Sequence, residues 1–71
     1  MDYNAWGEEY LQEAQMIRRH LELLKRQMKS ADAAAAKDLG RRISLIYPMY
    51  LECLHTGKYL IRYGKRDEHA R

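Results

Sequence analysis

Cys53 and His55 stand two positions apart in "LECLHTG", where sulfur and imidazole come closest along the chain. Such a pair could begin a metal site or activate a thiolate. A zinc site takes four ligands at recognisable spacings, however. The remaining histidines, His20 and His69, lie far from the pair, and there is no second cysteine. Cys53 also falls on an apolar row of a helical pattern while His55 falls on the polar side, so the thiol reads as a small buried hydrophobe. The letters show no paired carboxylates on an apolar face and no glycine-rich loop after a strand. Nor is there a Ser/His/Asp set that a helical fold could organise. The expectation is a protein that is not an enzyme, with no catalytic residue, metal site or cofactor.

Two other groups of residues carry the chemistry of recognition. Lys25, Arg26, Lys29, Lys37, Arg41 and Arg42 surround "MKSADAAAAKD", diluted by Glu22, Asp32 and Asp38. Such a cluster can hold phosphates, and salt-sensitive binding of nucleic acid would be its mark. No helix-turn-helix with a short glycine-containing turn accompanies it. With thirteen basic and ten acidic residues and a net charge of +3, the surface reads first as mixed and solvated, and only second as a nucleic-acid footprint. The chain has six tyrosines and no phenylalanine. Tyrosine suits places where one end of a ring is buried and the other wet, which is the rim of a helix interface. Tyr59 and Tyr63 beside Arg62 offer a second use, as a stacking surface for bases or for a partner protein.

The elements that position these residues follow from apolar spacing. Tyr3, Tyr10, Ile17, Leu24 and Ala31 form one heptad row, and Gly7, Ala14, Leu21 and Met28 form the row beside it. Continued straight on, the two rows would put Asp38, Arg42 and Glu52 in the seam. A different pair takes over instead: Ala36, Ile43, Tyr50 and Gly57 beside Leu39, Ile46, Cys53 and Leu60. That change of phase, across a segment holding the N-cap residues Ser30 and Asp32, predicts one helix ending and another starting. The fold class is all-α, an antiparallel two-helix hairpin: helix over about 2–29, turn at about 30–32, helix over about 33–63. One domain of residues 1–64 results, with Gly64 as a helix cap and residues 65–71 as a polar tail. Folding at the turn sets Met28 near Ala36, Leu21 near Ile43, Ala14 near Tyr50 and Gly7 near Gly57. It also lays Asp2, Glu8, Glu9 and Glu13 beside Lys58, Arg62, Lys65 and Arg66. Pro48 falls on the outer face and predicts a kink in the second helix.

Seventy-one residues bury little on their own, and a single cysteine excludes an internal disulfide, which leaves oligomerisation as the expected source of added stability. The second helix is apolar over roughly 200° of its circumference, more than one partner helix covers. Two hairpins packed as a C2 homodimer would bury the surplus in a four-helix bundle, through Tyr47, Met49, Tyr50, Leu54 and Ile61. The alternative is a groove for the helix of a different protein. An acidic start, one unpaired cysteine and no apolar run near membrane length predict a cytoplasmic protein without a membrane partner.

"LGRRISLIYPMYLECLHTGKYLIRYGKR", residues 39–66, resembles small uncharacterised helical proteins carried by conjugative transposons and prophages of Firmicutes. Those proteins show Tyr-x-Met-Tyr-Leu-Glu-Cys followed by Thr-Gly-x-Tyr-Leu, here residues 47–53 and 56–60. The resemblance covers most of the second helix and less of the first. It implies a bacterial cytosol and the company of mobile-element machinery, and it transfers no catalytic residue.

Overall fold

The computed structural model describes residues 2–69, with side chains as far as Lys65. Two helices, α1 (Tyr3–Ser30) and α2 (Ala33–His69), form an antiparallel hairpin, and no strand occurs among the described residues. Asp2 caps α1: its carboxylate accepts the Ala5 N–H at 3.1 Å and its carbonyl accepts the Trp6 N–H at 3.1 Å. At the other end Ala31 swings to extended backbone, with φ −86° and ψ 153°, while its N–H still donates to the Met28 carbonyl. Asp32 then starts α2 at once. Its carboxylate accepts the Ala35 N–H at 2.8 Å and its carbonyl the Ala36 N–H at 2.8 Å. The alanine run is therefore the first turn of α2, where the best helix former follows the best kind of cap.

Small residues set the spacing of the two helices. Gly7, Ala14, Leu21 and Leu24 are buried on α1, and Gly57, Leu60 and Gly64 on α2. Gly7 does face Gly57: a Cβ on Gly7 would lie 2.8 Å from the Gly57 carbonyl oxygen, and one on Gly57 would lie 2.9 Å from that of Gly7. Backbone meets backbone here, which only glycine permits. Towards the turn Met28 reaches Gly40, with its sulfur 3.8 Å from where a Cβ would stand, the same offset at which Leu11 meets Gly57 and Ile61 meets Gly7.

Gly64 is not a helix cap. No glycine among the described residues has positive φ, and α2 continues past Gly64 to His69. Gly64 is buried instead against α1, where an added Cβ would come within 3.1 Å of the Tyr3 Cβ. It continues the Ala36, Ile43, Tyr50, Gly57 row by one more heptad, so its missing side chain serves helix approach rather than a left-handed cap. Residues 65–69 of the expected tail are thus helical, and 70–71 lie outside the described residues. α2 runs unbroken through Pro48, whose ring is exposed. Pro48 leaves the Ser44 carbonyl without its usual donor four residues on, and the Ser44 hydroxyl donates back to the Gly40 carbonyl at 3.0 Å.

The expected charge pairs between the helices do not form among the described residues. Both ion pairs found there are i,i+4 pairs within one helix, Arg18–Glu22 at 3.4 Å and Arg42–Asp38 at 3.5 Å. The acids of α1 and the bases of α2 stand on the outer flanks of a narrow rod, each free to keep its water, and exposed pairing returns too little to hold them together. That rod measures 58 × 14 × 14 Å with a radius of gyration of 16.5 Å. A compact chain of this length would have a radius of about 11 Å.

Candidate interaction faces

Heptad spacing sorts the residues of the hairpin onto two faces either side of the glycine seam. On one face α2 carries Tyr47, Leu54 and Ile61, and α1 carries Leu11, Arg18 and Lys25. These rows enclose a groove. Its middle is lined by Leu11, Ala14, Gln15, Arg18, Tyr50, Leu54 and Lys58. Towards the turn it continues past Leu21, Glu22, Lys25 and Tyr47. Beyond Lys58, towards the open end, a second hollow lies on α2 alone, bordered by Ile61, Arg62 and Lys65. Tyr47 and Tyr50 tilt against each other, ring centres 6.1 Å apart.

The opposite face is apolar without interruption in the two rows nearest the seam. Tyr3, Tyr10, Ile17 and Leu24 line it on α1, with Leu39, Ile46, Cys53 and Leu60 on α2; only Leu24 and Leu60 are fully buried. The next row out holds Trp6, Glu13, His20 and Gln27 on α1 and Arg42, Met49, Thr56 and Tyr63 on α2, so Glu13 and Arg42 flank the apolar rows. Met49 is 55% exposed and Tyr63 45%. Aromatic rings knit the open end of this face. Tyr3 meets Tyr63 edge-on at 5.0 Å, Trp6 follows Tyr3 at 6.4 Å, and Tyr10 follows Trp6 at 6.3 Å. Tyr59 stacks on Tyr63 at 6.1 Å, so the pair expected to hold bases spends one of its ring faces on itself.

The five residues expected at one interface therefore divide. Tyr47, Tyr50, Leu54 and Ile61 share the groove side, whereas Met49 lies two positions from Tyr47 and so roughly 160–200° around the helix, on the opposite face. A single apolar arc around α2 hid this division, because the seam with α1 cuts the arc in two. Cys53 is a half-buried free thiol in an apolar row of the face opposite the groove, and His55 is exposed. Among the described residues no three of His, Cys, Asp or Glu gather as a metal site would require.

The expected phosphate-binding residues, Lys25, Arg26, Lys29, Lys37, Arg41 and Arg42, are all exposed and all lie within four turns of helix of the Ala31–Asp32 connection. Lys25 lines the groove with Tyr47, and Arg42 pairs with Asp38. No helix among the described residues is long and apolar enough to cross a membrane. Comparison of the chain with protein-family models, with curated proteins and with solved structures found no match.

Proposed function

We propose that this chain is a non-catalytic protein-interaction or scaffold module that works as a cytoplasmic homodimer, two hairpins pairing the faces that carry Ile17, Ile46, Met49 and Cys53 into a four-helix bundle. The observation that carries this reading is unburied surface. The chain exposes 5860 Å², against about 4,700 Å² for a compact monomer of its mass. The difference, roughly 1,200 Å², matches what each partner of a permanent dimer buries. The face with two unbroken apolar rows, where Trp6, Met49 and Tyr63 are exposed, offers a place for such burial. Service to mobile-element machinery belongs to the same proposal and rests on the resemblance of residues 47–53 and 56–60. Light scattering on a sizing column tests the dimer. A mass near twice 8.5 kDa across a hundredfold range of concentration is expected, and a folded monomer throughout would refute it.

A second reading, an accessory nucleic-acid-binding protein, is favoured by one observation. Of the six turn-end cations only Arg42 is ion-paired among the described residues. Retardation of DNA at low salt that falls steeply as salt rises, and is lost when Lys25, Arg26, Lys29, Arg41 and Arg42 become alanine, would support it. Indifference to DNA at low salt would dismiss it.

A further inference from the structure

We infer that the groove between α1 and α2 docks an acidic amphipathic helix of a partner protein. The inference goes beyond the homodimer and does not depend on it, since it uses the other face of the hairpin. Its floor is apolar, formed by Leu11, Ala14, Tyr50 and Leu54 and extended by Tyr47 and Ile61. On α2 these floor residues fall at 47, 50, 54 and 61, steps of three, four and seven that make a straight helical ridge about 21 Å long. A third helix of some four turns, with apolar residues at the same steps, lies along such a ridge and fills the valley beside it.

The rim decides the sign of the partner. Arg18, Lys25 and Lys58 line the groove, and Arg62 and Lys65 border the adjoining hollow on α2 that shares Lys58. The acid that joins them, Glu22, is already shared with Arg18 at 3.4 Å. A neutral helix would strip water from these cations without replacing it, and a basic one would be repelled, whereas Glu and Asp flanking an apolar stripe complete the rim. A second copy of the chain fits this face poorly, because it would bring its own basic rim to the contact. Nucleic acid fits poorly too. Its phosphates match the rim, but the floor offers aliphatic side chains and two half-engaged tyrosines where base edges need hydrogen bonds.

The test uses the full chain and a labelled 18-residue peptide with leucine at helical steps and glutamate on both flanks, followed by fluorescence anisotropy at physiological salt. Controls are the same peptide with lysine for glutamate and a 20-nucleotide single strand. Saturable binding of one acidic peptide per chain is expected, weakened at least about tenfold by Arg18→Glu with Lys58→Glu and by Leu54→Gln. Circular dichroism and solution mass are recorded for every variant and should match the wild type. Four results would overturn the inference: no saturation by the acidic peptide, equal binding of the lysine peptide, equal binding by variants that remain folded, or displacement of the peptide by the oligonucleotide. Loss of the dimer in the Arg18/Lys58 variant would also overturn it, by making the groove the self-association surface. A wild type that is monomeric yet binds the peptide would refute the homodimer and leave the groove standing.

Discussion

A methyl group added to a glycine is worth opposite signs at two places in this hairpin. At Gly57 it would lie 2.8 Å from the Leu11 Cδ2 and 2.9 Å from the Gly7 carbonyl oxygen, and a backbone atom cannot step aside as a side chain can. Gly57→Ala must push the helices apart. Overpacking of this kind costs typically about 1–3 kcal/mol, more than the roughly 1 kcal/mol alanine gains over glycine inside a helix. At Gly40 the nearest atom is the Met28 sulfur at 3.8 Å, an ordinary contact. Gly40→Ala should therefore keep most of the propensity gain and stabilise by about 0.5–1 kcal/mol. Urea melts of the two variants beside the wild type check this, with midpoints expected to move in opposite directions; movement in the same direction would contradict the geometry. The Gly7–Gly57 contact was legible in the sequence because both stand on rows that also carry Leu21 and Ile43. Gly64 was misread because a glycine before a charged stretch resembles a cap. Its place seven residues after Gly57 was the signal that could have corrected it.

At the scale of elements, the turn was readable because two independent cues agreed: the heptad phase changes where an N-cap residue stands. Asp32 ends up holding the N–H of Ala35 with its side chain and that of Ala36 with its carbonyl. Asp32→Ala removes the first of these bonds and should cost about 1 kcal/mol, a fall in melting temperature of about 4–8 °C for a domain this small. Asp32→Asn, which can still accept, should lose far less. Pro48 makes the contrary case. It sits in the interior of a 37-residue helix, where proline costs about 3 kcal/mol by removing a hydrogen bond and crowding the carbonyl one turn back. Its ring touches solvent rather than the seam, so Pro48→Ala should raise the melting temperature with no loss of packing. A lower melting temperature would mean that a bend at Pro48 is needed to bring the two ends of α2 onto their partner. The sequence located Pro48 on the outer face correctly, since the rows keep their phase on both sides of it. It could not show that the acids of α1 and the bases of α2 would stay apart, because side chains within reach of each other on a rod can equally well remain hydrated.

At the scale of the whole molecule, the sequence revealed a surplus of apolar surface but not its division. Counting α2 alone gives one broad arc; only with α1 laid along its middle does that become a basic-rimmed groove on one side and a face with two unbroken apolar rows on the other. The two faces make the dimer testable by paired substitutions. Met49→Glu puts a carboxylate among the apolar side chains of the Cys53 face, at a side chain 55% exposed, where the hairpin itself loses little. If that face pairs with its copy, two buried carboxylates meet across the dyad, and the solution mass should fall from twice 8.5 kDa to 8.5 kDa with helicity retained at high concentration. Tyr47→Glu, at a side chain 46% exposed on the groove side, should leave the mass unchanged. Melting supplies a second reading of the same equilibrium. A dimer whose subunits separate as they unfold gains about 1.4 kcal/mol per dimer for each tenfold rise in concentration, so its melting temperature should climb by about 3–5 °C per decade. The Met49→Glu variant should melt lower and show no such climb. If instead wild type and variant melt together at every concentration, the Met49 face does not pair with its copy, and the surplus surface belongs to a different protein.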